Sequence, residues 1–537
     1  MDRRSRPLSH GLLAIDYVSP LPPVRSGIAD YSRDLLPHLG EVCDLRVIRL
    51  PGQPLAAELE RDWQPSSPEV LGQDGRLPLY QMGNNVYHRE ILDLALRCPG
   101  VVTLHDVVLH HLLVEDTLAR QDPDGYKQRL VADHGWMGRV IAKARGWTEL
   151  GQTALFELPA HRTLVHRQRG VLVHSRWAAD LVHWDNPDVA VREVPMGVPL
   201  PKPAAAADRR EWRGRLGLVE GEPLLGTFGF QTPIKRTDRV LEALAQPELR
   251  QAHLVVGGEI NPRLRLRDQA RELGIEERVH FVGFLDYRDF EGAIAACDLC
   301  LNLRYPSAGE TSASLLRVLA VGRPAVVSDY AYSSELPDEV AVKIPLGDDE
   351  VEALARKVGS LVTDRERLAA MGEASREYIK TNHDPGKAAA AVVEACRELA
   401  GLEPLGDEPA VAEPPTSLVW RQLDGELEVE GAEPPWAEGE SRRLRLRLAN
   451  KGLARWLATG RGPGGVMIEV QWRQSSSHQG TTNVWLEQPK DLEPGEEQWL
   501  ELEMRRPLGA SFLYIEPHVQ GVTGFYGLGG PLWSRSY

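Results

Sequence analysis

"LCLNLRYPSAGETSASLLRVLAVGRPAVVSD", residues 299–329, sets a polar loop of small residues and an apolar helical run between two short hydrophobic stretches. Strand–helix–strand order of this kind joins parallel neighbours, and parallel strands need helices over both faces. The same alternation fills residues 1–400. "LLAIDYV", "CDLRVIRL", "LPLYQMG", "GVVTLHD", "GVLVHS" and "VREVPMG" mark the first part. "LLGTFGF", "HLVVGG", "VHFVGF", "LCLNLR", "PAVVSD" and "VAVKIP" mark the second. Helical runs such as "RTDRVLEALA" and "YRDFEGAIAACD" separate them. The expected fold is α/β, with two Rossmann-like doubly wound domains whose strand ends face a shared cleft.

Prolines mark the breaks. "PMGVPLPKPAAAAD", residues 195–208, carries four of them, which bars regular structure. The expected domains are therefore 1–198 and 199–400, with the last helix free to pack back on the first domain. A second break, "GLEPLGDEPAVAEPPTS", reads as a linker over 401–417. Beyond it the texture changes to period two. "RRLRLRLAN" alternates Leu444, Leu446 and Leu448 with arginines, and "VMIEVQW" and "WLELEM" follow, with "EPGEE" as a turn. An all-β sandwich is expected over 418–537. Seven of the 13 tryptophans lie there: Trp420, Trp436, Trp456, Trp472, Trp485, Trp499 and Trp533. Most read as core, and an exposed remainder would offer flat platforms for sugar rings.

Composition bounds the function. A net charge of −15 argues against a nucleic-acid partner but allows local basic pockets. Five cysteines in 537 residues are too few for a disulfide framework and suit a reducing cytoplasm. Cys297 and Cys300 form one C-x-x-C, which without a second pair reads as structural rather than as zinc. The segment from Met1 begins basic, but its apolar part is short and holds Asp16, so it reads as a first strand and not as a leader. No apolar run is long enough to span a bilayer, and peripheral association with a membrane stays open.

The loop in the opening stretch poses the functional question. Gly309, Thr311, Ser312, Ala313 and Ser314 leave backbone N–H groups uncovered at a helix N-terminus, which attracts phosphate. Glu310 is odd company for an anion. Either it complements the helix dipole, or it binds the hydroxyl-rich part of a ligand that also carries phosphate, as a nucleotide-sugar does. "GTFGFQTPIKRTDRVLEALA" sets a turn at Gly229 and then Lys235 and Arg236 at a helix start. Cations sit poorly there unless an anion lies between them and the helix, or unless they are a solvated pair on a surface turn. In the first half, "SPLPPVRSGIADYSRDLLPHL" opens a helix at Ser26–Gly27, a second candidate contact for phosphate or acceptor. His105 and Asp106 end the apolar run "VVTL", where a polar pair meets the cleft. Asn84, Asn85, Tyr87 and His88 supply donors and acceptors for hydroxyls at another strand end. His110 and His111 lack a zincin spacing and read as packing or cleft rim.

Together these residues resemble the retaining GT-B glycosyltransferases of family 4. The resemblance covers residues 1–400 and rests on "PLPPVRSGIADYS", "TLHD", "VLVHSRWAADL", "VPMGVP", "GFQTPIKRTDRVLEALA", "HFVGF" and "NLRYPSAGETSASLLRVLAVGRPAVVSD" in that order. It implies that Glu310 touches the donor sugar, that Thr311 to Ser314 cradle the diphosphate, and that Lys235, with Arg236 beside it, neutralises the leaving group. It also implies that His105 contacts the donor sugar, that Ser26–Gly27 form the first loop, and that Gly283 and Phe284 face the base; His105 and Asp106 together are expected to position the donor sugar and the attacking hydroxyl. The pattern departs from the family where its second glutamate, often the ribose ligand, is expected: Arg317 stands there instead, and Glu310 falls one residue nearer than the usual spacing. The implied activity is transfer from a UDP- or GDP-sugar to a saccharide or lipid-linked acceptor, with no cofactor and no metal. A non-catalytic nucleotide-sugar or glycan-binding protein on the same fold is the alternative.

Overall fold

The computed structural model describes residues 12–144, 155–201, 206–219, 221–406, 416–417, 423–452, 454–459, 465–474, 480–520, 523–525 and 532–537. The chain divides into two compact units, residues 1–112 with 164–406, and residues 113–163 with 407–537.

The first unit contains two six-stranded sheets. One is built from β1 (Ala14–Val18), β2 (Asp44–Ile48), β3 (Leu77–Met82), β4 (Val101–Leu104), β5 (Gly170–Val173) and β6 (Val191–Glu193). Its order is β2-β1-β3-β4-β5-β6, and every pairing is parallel. The other comprises β7 (Leu224–Phe228), β8 (His253–Gly257), β9 (Val279–Gly283), β10 (Leu299–Asn302), β11 (Ala325–Ser328) and β12 (Ala341–Ile344). Its order is β12-β11-β10-β7-β8-β9, again parallel throughout. Each of the twelve runs read from the sequence forms one of these strands; the inner strands are apolar because helices cover both faces, while the edge strand β6 leaves Arg192 and Glu193 exposed. Asp16 is the instructive exception. It is fully buried in β1, and Arg46 at 2.7 Å and Arg76 at 2.9 Å supply the counter-charge that makes burial tolerable.

The proline break leaves residues 194–201 without helix or strand. Residues 202–205 lie outside the described residues. The helix Pro385–Ala400 packs on the helix Gly27–Val42, so the last helix of the unit closes over the first sheet's domain. The C-x-x-C cysteines are buried free thiols, and Cys297 Sγ donates to Ala293 O at 3.3 Å. No helix among the described residues is long and apolar enough to cross a membrane.

The second unit is mainly two antiparallel sheets. β13 (Gly425–Glu430), β14 (Ser441–Asn450) and β17 (Glu497–Arg505) pair in the order β13-β14-β17. β15 (Val466–Arg473), β16 (Gly480–Glu487), β18 (Phe512–Val519) and β19 (Thr523–Gly524) pair as β16-β15-β18-β19, with β20 (Trp533–Ser536) also on β18. Leu444, Leu446, Leu448, Ile468, Val470 and Ile515 are buried between the sheets, as period-two alternation requires. Trp436, Trp456 and Trp472 join that core, whereas Trp485 and Trp499 stay exposed and Trp533 is half-buried. Trp420 and linker residues 407–415 fall outside the described residues. The helix Pro123–Ala144, which breaks at Gly135, belongs to this unit, and Arg139 pairs with Asp424.

Candidate active site

Open parallel sheets bind ligands beyond the carboxyl ends of their strands, where the strand order reverses. In the first sheet the reversal lies between β1 and β3, and in the second between β7 and β10. The loops leaving those strands carry Ser26, Asn84, Lys235 and Glu310. The two sets of loops touch: the N–H groups of Val107 and Val108 both donate to Ala308 O, at 2.7 and 2.8 Å. Gly309 lies at this contact with φ of +87°, and a Cβ there would come within 2.8 Å of the Val107 side chain. Only glycine combines that backbone with that approach.

The loop after β10 answers the question that Glu310 raises. Arg304 Nη1 lies 2.6 Å from Glu310 Oε1, while Ser307 Oγ and Ala308 N–H donate to Glu310 Oε2 at 2.8 and 2.9 Å. The other arm of the Arg304 fork donates to Ser312 Oγ at 3.1 Å. Ser312 caps the helix Ala313–Val321, accepting from Leu315 N–H at 3.3 Å, and Asn302 Nδ2 donates to Ser314 Oγ at 3.2 Å. Among the described residues, the N–H groups of Thr311, Ser312, Ala313 and Ser314 donate to no group. Thr311 Oγ1 is buried without a partner. Four unengaged amides at a helix N-terminus beside a guanidinium can hold an anion.

Lys235 enters from the loop after β7. It is only 9% exposed, and its ammonium donates to Phe228 O. Gly229, at φ of +95°, makes room for it, since a Cβ there would sit 2.6 Å from Nζ. Burial, and then the nearby Arg304 charge, push the Lys235 ammonium down to about 7, against the opposing pull of Glu310. A cation held this far from water is poised to gain from an incoming anion. Arg236 stands apart from this cluster. Its guanidinium grips the buried Glu350 carboxylate through both Nε and Nη2, and its own backbone is left-handed at φ of +51°.

In the first domain, His105 Nε2 meets Gln81 Oε1 at 2.8 Å, and its ring packs on Tyr31 and His174 at centroid distances of 4.8 and 4.9 Å. Burial holds His105 well below its ordinary value, with His174 and His88 adding to the effect, so it is neutral at pH 7. Asp106 accepts from Asn84 N–H at 2.8 Å. Its carboxyl is raised, first by burial and then by the charge of Glu310, which faces it from the second domain.

Ser26 caps the helix Gly27–Val42 through Ile28 N–H, and Gly27 has open space where a side chain would be. Gly283 adopts φ of +72°, and the exposed Phe284 ring lies under the Arg25 guanidinium at 4.6 Å. Arg317 pairs with Asp34 of the first domain at 2.8 Å. Asn84 is engaged by Leu112 N–H at 2.8 Å and His111 Nδ1 at 3.1 Å. Tyr87 is exposed. His88 is fully buried under Gly83 and bonded to Asn85, with burial lowering it to about 4.

Arg304, Gln81, Tyr31, His174 and Asp34 escaped the reading of the sequence. Only Arg304 left a signal there: a charge at the end of an apolar strand, six residues before the acid it pairs with.

Comparison with known proteins locates the likeness. A D-inositol 3-phosphate glycosyltransferase of Nocardia farcinica is 30% identical over 189 residues, 33% of this chain and 41% of that protein. A 2-deoxystreptamine N-acetyl-D-glucosaminyltransferase of Streptomyces fradiae is 31% identical over 223 residues, 39% of this chain and 50% of that protein. The chain thus spans half or less of the length of these relatives. Among solved structures, a sucrose-phosphate synthase from Thermosynechococcus elongatus superposes with a TM-score of 0.52 at 17% identity, over 72% of this chain and 99% of its own. Anabaena HepE, solved with UDP-glucose, gives 0.51 at 16% identity over 72% of this chain and 100% of its own. These structures share the fold of two facing parallel-sheet domains. Residues 208–378, which carry Lys235, Arg304, Glu310 and the amide cradle, match the family described as Glycosyl transferases group 1.

Proposed function

We propose that the protein is a retaining glycosyltransferase that moves a sugar from a UDP- or GDP-sugar to a saccharide or lipid-linked acceptor. The observation that carries it is the set of unengaged amides at 311–314 with Lys235 and Arg304 beside them, inside the segment that matches the group 1 glycosyl transferases.

In this reading the diphosphate lies on the amides and the helix N-terminus. Negative charge that develops on the leaving phosphate is met by fixed N–H groups and by Lys235, which need no reorganisation as the bond breaks. Glu310 accepts hydrogen bonds from donor-sugar hydroxyls. Neutral His105 and the raised carboxyl of Asp106 line the opposite wall, where sugar and acceptor hydroxyl are oriented. The leaving phosphate assists removal of the acceptor proton on the same face, which gives retention. Protein cations supply the neutralisation, so transfer is expected to persist in EDTA.

The test is release of UDP or GDP from a panel of nucleotide-sugars, with and without saccharide acceptors. Lys235→Ala and Glu310→Ala should each lower transfer by well over tenfold while the circular dichroism spectrum is kept. Full turnover in both variants contradicts the assignment.

A further inference from the structure

Arg304 and Glu310 form a closed ion pair at the mouth of an anion cradle, with side chains only 17% and 14% exposed. That pairing is hard to reconcile with a ligand that needs both partners. A diphosphate on the amides of 311–314 requires a cation, and a sugar above it requires a free carboxylate. We propose that Arg304 is an exchangeable counter-ion: it holds Glu310 in the unliganded protein and transfers its fork to the diphosphate when the donor binds, which releases Glu310 to the sugar. The inference rests on the proposed donor site and adds a residue and a switching step to it.

Several observations support the exchange. One arm of the fork already lies on Ser312 Oγ, the cap residue of the helix whose N-terminus forms the cradle. The guanidinium therefore needs only to rotate about its own stem to reach a phosphate on those amides. Glu310 does not depend on Arg304 alone, because Ser307 Oγ and Ala308 N–H still hold Oε2 after Arg304 leaves. Arg304 and Lys235 also repel, which adds to the depression that burial imposes on the Lys235 ammonium. An anion between them removes that repulsion. Arg236, the other cation of the neighbourhood, is committed to Glu350. Fork geometry suits the step, since guanidinium binds carboxylate and phosphate in the same two-point fashion.

The exchange has a signature that a structural ion pair lacks. Isothermal titration of the full chain with UDP and GDP, and with UMP and GMP as probes lacking the second phosphate, gives the readout. Arg304→Gln should weaken the favoured diphosphate by roughly ten- to a hundredfold, as loss of a charged hydrogen-bond donor implies, with a smaller effect on the monophosphate. Glu310→Gln should tighten the diphosphate, because its competitor for Arg304 is gone, even as transfer is lost. The decisive comparison is Glu310→Gln in the Arg304→Gln background. Removal of one negative charge alone would tighten binding equally in both backgrounds, whereas exchange requires a larger gain when Arg304 is present. Arg304→Lys, which keeps the charge but not the fork, covers the case in which Arg304→Gln fails to fold, and should fall between the two. Equal gains, or a weaker diphosphate in Glu310→Gln, overturn the exchange while leaving the donor site standing. Wild-type protein that binds neither diphosphate overturns the donor site and the exchange together.

Discussion

Replacement of Lys235 by Met should make the protein more stable and at the same time deaf to its ligand. The ammonium is depressed from 10.5 to about 7, with burial as the main cause. At about 1.4 kcal/mol per pH unit, the charged form is disfavoured in the fold by about 5 kcal/mol. Loss of the hydrogen bond to Phe228 O returns about 1–2 kcal/mol of that. The net gain for Lys235→Met is on the order of 3 kcal/mol at pH 7, or about 6–12 °C for a domain of this size. The sign with pH follows from proton binding. The unfolded chain keeps the Lys235 proton up to 10.5 and the folded chain only to about 7. Wild-type stability therefore rises across that window relative to the variant, and the gap between them narrows as pH is raised from 7 to 10. The assay is thermal melting of both proteins across that range, with and without UDP or GDP, scored on the transition that responds to the diphosphate. Wild type should shift upward with ligand, and Lys235→Met should not. A variant that melts lower than wild type, or a gap independent of pH, refutes the account of Lys235 as a cation stored for an anion.

Three further outcomes follow from the same geometry. Diphosphate affinity should fall as pH rises above about 7, because the bound anion needs Lys235 charged and binding must then take up a proton; titration in buffers of different ionisation enthalpy measures that uptake. Arg317 and Asp34, with side chains 14% and 13% exposed, join the two domains of the cleft, and a double-alanine cycle on thermal stability should return a coupling of roughly 1–3 kcal/mol. Gly309→Ala forces a side chain into a left-handed backbone 2.8 Å from Val107, so it should lower stability by about 1–3 kcal/mol and depress transfer, while Gly401→Ala, where nothing lies within 4 Å, should do neither.

The fold was legible because parallel strands buried on both faces leave continuous apolar runs, and all twelve stand where those runs do. Even Asp16, which interrupts the first run, did not hide it. The unengaged amides of 311–314 were legible for a related reason, since small residues before an apolar helix leave backbone N–H groups uncovered. What stayed hidden depends on partners far away in the chain. Arg236 looks like a neighbour of Lys235 in sequence, yet Glu350, 114 residues on, turns it aside. Arg317 finds Asp34 across 283 residues. His88 looked like one more polar group on a loop, but Gly83 lets it fold inward and leaves Tyr87 outside. The grouping of residues 113–163 with the tail also leaves no trace in local periodicity, because it reflects packing between segments distant in the chain. In the tail, period two showed which leucines face inward, while the split of the tryptophans between core and surface depended on the pairing register.

A crystal structure of the full chain with UDP or GDP bound tests the central claim most directly. The account predicts phosphate oxygens within hydrogen-bond distance of the N–H groups of 311–314 and of Lys235 Nζ, with the Arg304 fork moved from Glu310 onto phosphate. A diphosphate bound elsewhere, or Lys235 still bonded only to Phe228 O, contradicts it.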